Sequence, residues 1–371
     1  MKKTLRTIFI LMIAAALFSC AAPEKKKAGP IVFYPALPQK PRLQYLTSIM
    51  IEEDLERKQS RFDDFLLGEQ PIMKRIGRPI DIGTVKGKIY ISDRLHKKIL
   101  IVDLVKNEFD HIRDQGVGAI REPAGIWVSN DDVKYLADMG RKQILVFDSN
   151  NEFLTVYGET GQFEKPVNVA VDGERIYVTD VAKNKILVVD KKSGKTIQEI
   201  GDVGREEGKF FKPSYITLDH EGNLYVTDSF NFRVQMFDST GKFVKVIGFH
   251  GDSLGAFSRP KGLAIDKEKH LYVVDAAFEN IQIFDVDAAR LLLFFGGHGT
   301  GPGSMELPAG LHIDRHNIDY FQKYADKDFK IRYLVYVGNL IGTKRLGIYG
   351  FGDWVGPVLP GMQRKKEKEK E

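Results

Sequence analysis

One cysteine in 371 residues, Cys20, has no partner for an internal disulfide, and no CxxCH occurs to hold a haem covalently. Neither sign of charge is in large excess. The formal net charge is +5, and Lys2, Lys3 and Arg6 supply three of those charges within the first six residues. A chain this close to neutral gives no electrostatic argument for nucleic acid as a partner. Long apolar runs are also missing, since IFILMIAAALF, starting at Ile8, is too short to span a bilayer comfortably. The GxGxxG-like fragments open no helix and make no dinucleotide fingerprint. Hydrophobic residues at 43% and charged residues at 28% give an ordinary globular balance with ample material for a core.

The core has a repeating plan. IYVTD-VAKNK-ILVVD runs from Ile176 to Asp190, two β-rich segments around a five-residue polar loop, and it returns from Ile89, Tyr135, Leu224 and Leu271. In all five copies the first aspartate precedes the second by ten residues: Asp93/Asp103, Asp138/Asp148, Asp180/Asp190, Asp228/Asp238 and Asp275/Asp285. Fourteen or fifteen residues before each first aspartate stands a proline that starts another β-rich run: Pro79, Pro123, Pro166, Pro213 and Pro260. Proline suits the start of a strand because it has no N–H for a ladder to use. Glycine-rich connectors separate the copies. Each unit of 42–48 residues therefore supplies about four short strands, the content of one propeller blade.

A sixth copy begins at Pro308 and departs from the pattern. Asn339 replaces the motif aspartate, thirty-one residues after its proline, behind an insertion with Tyr320, Phe321 and Tyr324 at helical spacing. This copy has no good fourth strand, and the isolated β-rich run at 42–49 can supply it. The fold expected is all-β, a six-bladed β-propeller whose ring is closed by an N-terminal strand completing the last blade. Within the propeller (42–356) lie a closing strand over 42–49, a short amphipathic helix over 52–67 and an insertion over 315–330. The lysine-rich tail over 357–371 cannot bury a core.

Leu17-Phe18-Ser19-Cys20 follows a basic start and the short apolar run, and resembles a bacterial lipobox. That resemblance implies a signal peptide over 1–19, a diacylglyceryl group on Cys20 and a proline- and lysine-rich tether over 20–41. Ala21 and Ala22 stand where an aspartate is linked to inner-membrane retention, which favours the outer membrane in a Gram-negative cell. The propeller pattern itself resembles NHL-repeat proteins over residues 75–350. PRLQYLTSI and FKIRYLVYVGN…LGIYGFG are similar to a group of bacterial propeller lipoproteins often found alongside multihaem c-type cytochromes. The resemblance implies a membrane-anchored envelope protein, with such a cytochrome or its export and assembly machinery as the partner. An exported protein meets little RNA, so nucleic acid is not expected.

The repeated aspartates recur equally in every blade, which argues for turn architecture rather than a catalytic role. The five-residue loops offer a basic face with aromatics interleaved: Arg94, Lys97, Arg141, Lys142, Lys183, Phe230, Phe232 and Arg233. The metal candidates are His250 and His298, in matching connectors, and Asp81 and Asn168, just after their blade prolines. Zinc needs three or four converging ligands and calcium six to eight oxygens. No cofactor is predicted; a channel-bound calcium or zinc belongs to the alternative reading. The leading function is a non-enzymatic binding or scaffolding module, and the alternative is a metal-dependent propeller hydrolase or lyase with its site in the channel.

Overall fold

The computed structural model describes residues 31–55 and 75–358. Cys20, most of the 52–67 segment and the tail beyond residue 358 lie outside the described residues. From Val32 onward the chain forms a six-bladed β-propeller. Blades 1 to 5 are four-stranded antiparallel sheets. Their inner strands, beginning at the five prolines, pack side by side, and the strand Pro308–Asp314 of blade 6 completes the ring. Both faces of each blade are apolar, so a hydrophobic layer fills every gap between neighbours.

Each proline opens its inner strand opposite the motif residue of the second strand, as in Pro79↔Asp93, Pro166↔Asp180 and, in the altered copy, Pro308↔Asn339. A bulge follows the proline in all six blades. Bulges kink a strand and re-aim its side chains. The five motif aspartates are fully buried. Asp93 shows why they recur: it accepts the N–H groups of Gly77 and Arg78 before the proline, and of Leu95 and His96 in the loop. One carboxylate thereby joins the connector to the second turn of its blade, which places the five-residue loops and the connectors on one face of the ring.

Blade 6 is five-stranded. Strand β2 (Leu43–Ile49) pairs antiparallel with Leu346–Trp354, from Leu43↔Phe351 to Ile49↔Leu346, so the two ends of the chain close the ring non-covalently. A further strand, β1 (Val32–Tyr34), pairs outside β2. Residues 32–34 therefore belong to the sheet and not to a tether: Phe33 is buried against Phe329 and Trp354, which the flanking prolines concealed. Of the expected 52–67 helix, the described part is one 3-10 turn, Glu52–Asp54. The insertion forms a short helix, Ile318–Phe321, followed by a 3-10 turn, Gln322–Tyr324. It braces the closure: the buried Gln44 of β2 donates to Tyr324 O at 3.4 Å and accepts from Asp326 N at 2.9 Å. Asn317 latches blade 6 to blade 1 by donating to Val85 O at 3.0 Å and accepting from Gly87 N at 2.6 Å.

Candidate functional site

The bulge after each proline sets one residue of every inner strand, Asp81, Gly125, Asn168, Tyr215, Gly262 or Gly310, where the inner strands of different blades approach one another. Three of these residues close the channel. Asp81 Oδ2 accepts from Asn168 Nδ2 at 2.9 Å and from Ile126 N at 3.0 Å, while Oδ1 accepts from Ile82 N at 3.0 Å. Asn168 Oδ1 accepts from Ile216 N at 3.3 Å. Tyr215, on blade 4, reaches across the axis and donates to Ile80 O of blade 1 at 2.9 Å. The glycines are where backbone meets side chain: a Cβ at Gly125 would run into Asn168, and one at Gly262 into the carbonyl of Ala309. The result is a plug linking blades 1 to 4.

Burial pushes the Asp81 carboxyl up to about 7, against three hydrogen bonds that pull it down. Burial, and secondarily the Asp81 charge, raises the Tyr215 phenol. His312, two residues beyond the plug position of blade 6, sits 3.0 Å from Thr84 Oγ1, and burial lowers its imidazole to about 4. These two shifts oppose each other. Asp81 holds its proton above the unfolded value of 3.8, so its contribution to stability falls as pH rises from about 4 to about 7. His312 refuses a proton that the unfolded chain accepts near 6.5, so its contribution falls as pH drops from 6.5 toward about 4. Asp81→Asn removes the first slope and leaves the second. Between pH 7.5 and 4.5 the variant should lose about 3 kcal/mol relative to wild type in urea titrations. Parallel stability profiles for the two proteins would contradict this reading of the plug.

The four metal candidates do not converge. Asp81 and Asn168 bond each other in the plug. On the loop face, exposed His250 stacks on Phe232 with centroids 4.2 Å apart, and exposed His298 meets Glu279 Oε2 through Nδ1 at 2.5 Å. Among the described residues no three His, Cys, Asp or Glu side chains are placed to hold one ion.

The basic loop residues divide into two kinds. Arg141 donates to Val117 O and Ala119 O at 2.8 and 2.9 Å, Lys183 to Gln162 O at 2.7 Å, and Arg233 to Glu206 O and Lys209 O at 2.8 and 3.0 Å. These three tie a loop to its own connector. Arg94 pairs with Glu122. Lys97 and Lys142 are exposed, with left-handed backbone at φ 56° and 59°.

Phe232 holds that same left-handed position, at φ 54°, where an L-residue is strained by roughly 1–2 kcal/mol. It ends the turn Ser229–Asn231 of blade 4, and around that turn the face is aromatic. Phe230, 60% exposed, meets Phe211 edge-on at 5.6 Å, and Phe232 stacks on His250. Phe249 and Leu254, 56% and 72% exposed, follow in the next connector. Phe211, Phe249 and Leu254 were not among the expected site residues. The signal for them was apolar side chains, FF and GFHG, inside otherwise polar, glycine-rich linkers.

A family model described as a 6-bladed beta-propeller matches residues 218–292. No curated protein matches the chain. Among solved structures, the chain is similar to a gluconolactonase from Xanthomonas campestris, with a TM-score of 0.55 and 14% identity over 88% of this chain and 99% of that one. It is similar also to a protein of unknown function from Bacteroides thetaiotaomicron (TM-score 0.56, 14% identity, 82% of this chain and 75% of that one). A streptogramin B lyase gives a TM-score of 0.51 and 16% identity over 74% and 83% of the two chains. At such identities the likenesses speak for the fold alone, and this chain's own sheets form a six-bladed β-propeller.

Proposed function

We propose that this propeller is a non-enzymatic binding and scaffolding module, anchored by lipid at Cys20 to the cell envelope. Its loop face docks a protein partner. The observation that carries the reading is the aromatic and apolar patch at blade 4, where Phe230, Phe249 and Leu254 are open to solvent. Exposed rings cost stability and become useful when a partner covers them. Aromatic side chains are enriched in the cores of protein interfaces. The envelope partner is identified by its chemistry: a surface able to pack against the rings and, across the loop face, to accept from Lys97 and Lys142. A multihaem cytochrome, or its export and assembly machinery, is the class supported by the resemblance in the lipobox and the chain ends.

The test uses the full chain in its own cells. A photo-crosslinking residue at Phe230 should give one defined adduct with an envelope protein. Phe249→Asp should reduce that adduct about tenfold or more, as hot-spot losses do. A crosslinker at Glu268, on the other face, should give none. In the same cells, Cys20→Ala should abolish palmitate labelling and release the protein from the membrane fraction. Adducts of equal yield from both faces would overturn the docking reading.

The gluconolactonase and the lyase favour a second reading, a hydrolase or lyase with a metal on the axis. Its requirement is an opening of the plug. Stoichiometric metal in the purified full chain, lost in Asp81→Asn, would establish that reading against ours.

A further inference from the structure

Blade 6 departs from the repeat through its two N-terminal strands, and that departure builds a second concave feature. The turn joining β1 to β2, residues 35–42, stands beside the outer strands of blade 5 and walls a cleft of about 960 Å³. It lies on the face opposite the five-residue loops. Its volume matches that of small-molecule sites, which combine apolar walls with a few placed polar groups. Ile283, Leu292 and Leu293 of blade 5 and Phe351 of blade 6 supply the apolar part. Phe351 is stacked on the buried Tyr333, with centroids 4.7 Å apart and planes 8° from parallel, so this wall is fixed.

The charges lining the cleft do not cancel. Glu268 is the acid, and it is already paired with Arg332 at 2.6 Å. His270 is oriented by the buried Asp266, which accepts from its Nδ1 at 2.8 Å and from Tyr333 Oη at 2.8 Å. Nε2 of that ring has no hydrogen-bond partner among the described residues. Burial raises the Asp266 carboxyl, but the bonds from His270 and Tyr333 outweigh it and hold it below its ordinary value. The Asp266 bond in turn raises the His270 imidazole. Lys40 and Arg42, both exposed in the cleft wall, form neither ion pair nor side-chain hydrogen bond among the described residues. Two cations without a partner among the described residues and the Asp266-bound imidazole thus stand at the edge of an apolar trough.

We infer that this cleft binds an amphiphilic anion, an acidic head group on an apolar body, with Arg42 and Lys40 on the head and Leu292, Leu293 and Phe351 around the body. Arg42 offers a planar fork to a carboxylate or a phosphate, and Lys40 a point charge. His270 Nε2 is placed to donate to the same head group when protonated. The site is independent of the docking face, and either can fail without the other.

The probe is 11-(dansylamino)undecanoate, titrated into the full chain carrying Cys20→Ala so that attached lipid does not compete. Saturable one-to-one fluorescence enhancement is expected. The Lys40→Glu/Arg42→Glu pair, at exposed positions, should raise Kd about tenfold or more, and Leu292→Asp should do the same by wetting the trough. Lys165→Glu, on the opposite face, should leave Kd within about twofold. Decanoate or decyl phosphate should displace the probe, their ratio telling a carboxylate source from a phosphate one, and decylamine should not. Non-saturable binding, an unchanged Kd in the charge-reversed pair, or equal displacement by decylamine would each overturn the assignment.

Discussion

Deleting residues 42–49 should lower the melting temperature by about 20 °C or leave no cooperative transition at all. A propeller has no edge inside its ring, but it has one seam, and here β2 is the seam. Removing it strips every ladder bond from one side of Leu346–Trp354. It also removes the buried Leu43, Leu46 and Ile49 from the apolar layers on both sides of blade 6. Each such side chain is worth about 2–5 kcal/mol when truncated to alanine, and a domain has only about 5–15 kcal/mol to lose. Gln44 goes too, leaving Asp326 N of the insertion without its acceptor. Leu43→Ala alone should cost about 3 kcal/mol. Deleting Val32–Tyr34 should cost less, because β1 adds one buried apolar side chain, Phe33, on the outside of a sheet already complete. Thermal unfolding followed by circular dichroism ranks the three. A 42–49 deletion that melts like the parent would mean that the ring closes some other way.

That seam was legible in the sequence because the repeat was. A fixed interval between aspartates, and between proline and aspartate, counts blades without reference to any contact, and a last copy short of one strand asks for a strand elsewhere. β1 was not legible. Val32–Tyr34 is three residues between prolines and a lysine-rich run, and only its partner β2 makes it a strand. The loop face was half legible. Phe230 and Phe232 stand in the repeating loop, where comparison with other copies exposes them, whereas Phe249 and Leu254 lie in connectors of variable length with no register to compare. Periodicity also could not show that Arg141, Lys183 and Arg233 spend their donors on connector carbonyls. The plug was visible only as three non-glycine residues among six bulge positions. That Tyr215 crosses the axis to Ile80 is a fact of ring geometry. The cleft was invisible for the same reason, being assembled from 35–42, blade 5 and blade 6.

Asp180→Ala should destabilise the protein by about 3–5 kcal/mol, and the same substitution in the other four close copies by similar amounts. The fully buried carboxylate accepts from the N–H groups of Glu164 at 2.7 Å, Lys165 at 3.0 Å, and Ala182 and Lys183 at 3.1 Å. Alanine would strand four donors at a junction that joins connector, inner strand and loop. Asp180→Asn should fall between, because its amide keeps one acceptor and presents N–H groups where the backbone already donates. Blade 6 tests the logic from the other side. There Asn339 Oδ1 accepts from Glu306 N at 3.2 Å while Nδ2 donates to Lys344 O at 2.6 Å, so the altered loop supplies a carbonyl where the other loops supply N–H groups. Restoring the repeat's own residue with Asn339→Asp would set a carboxylate oxygen against that carbonyl. It should therefore destabilise by about 1–3 kcal/mol rather than repair the motif. Urea titrations at constant m-value measure all three. The opposite pattern, a harmless Asp180→Ala that abolishes the Phe230 adduct, would return the aspartates from architecture to function.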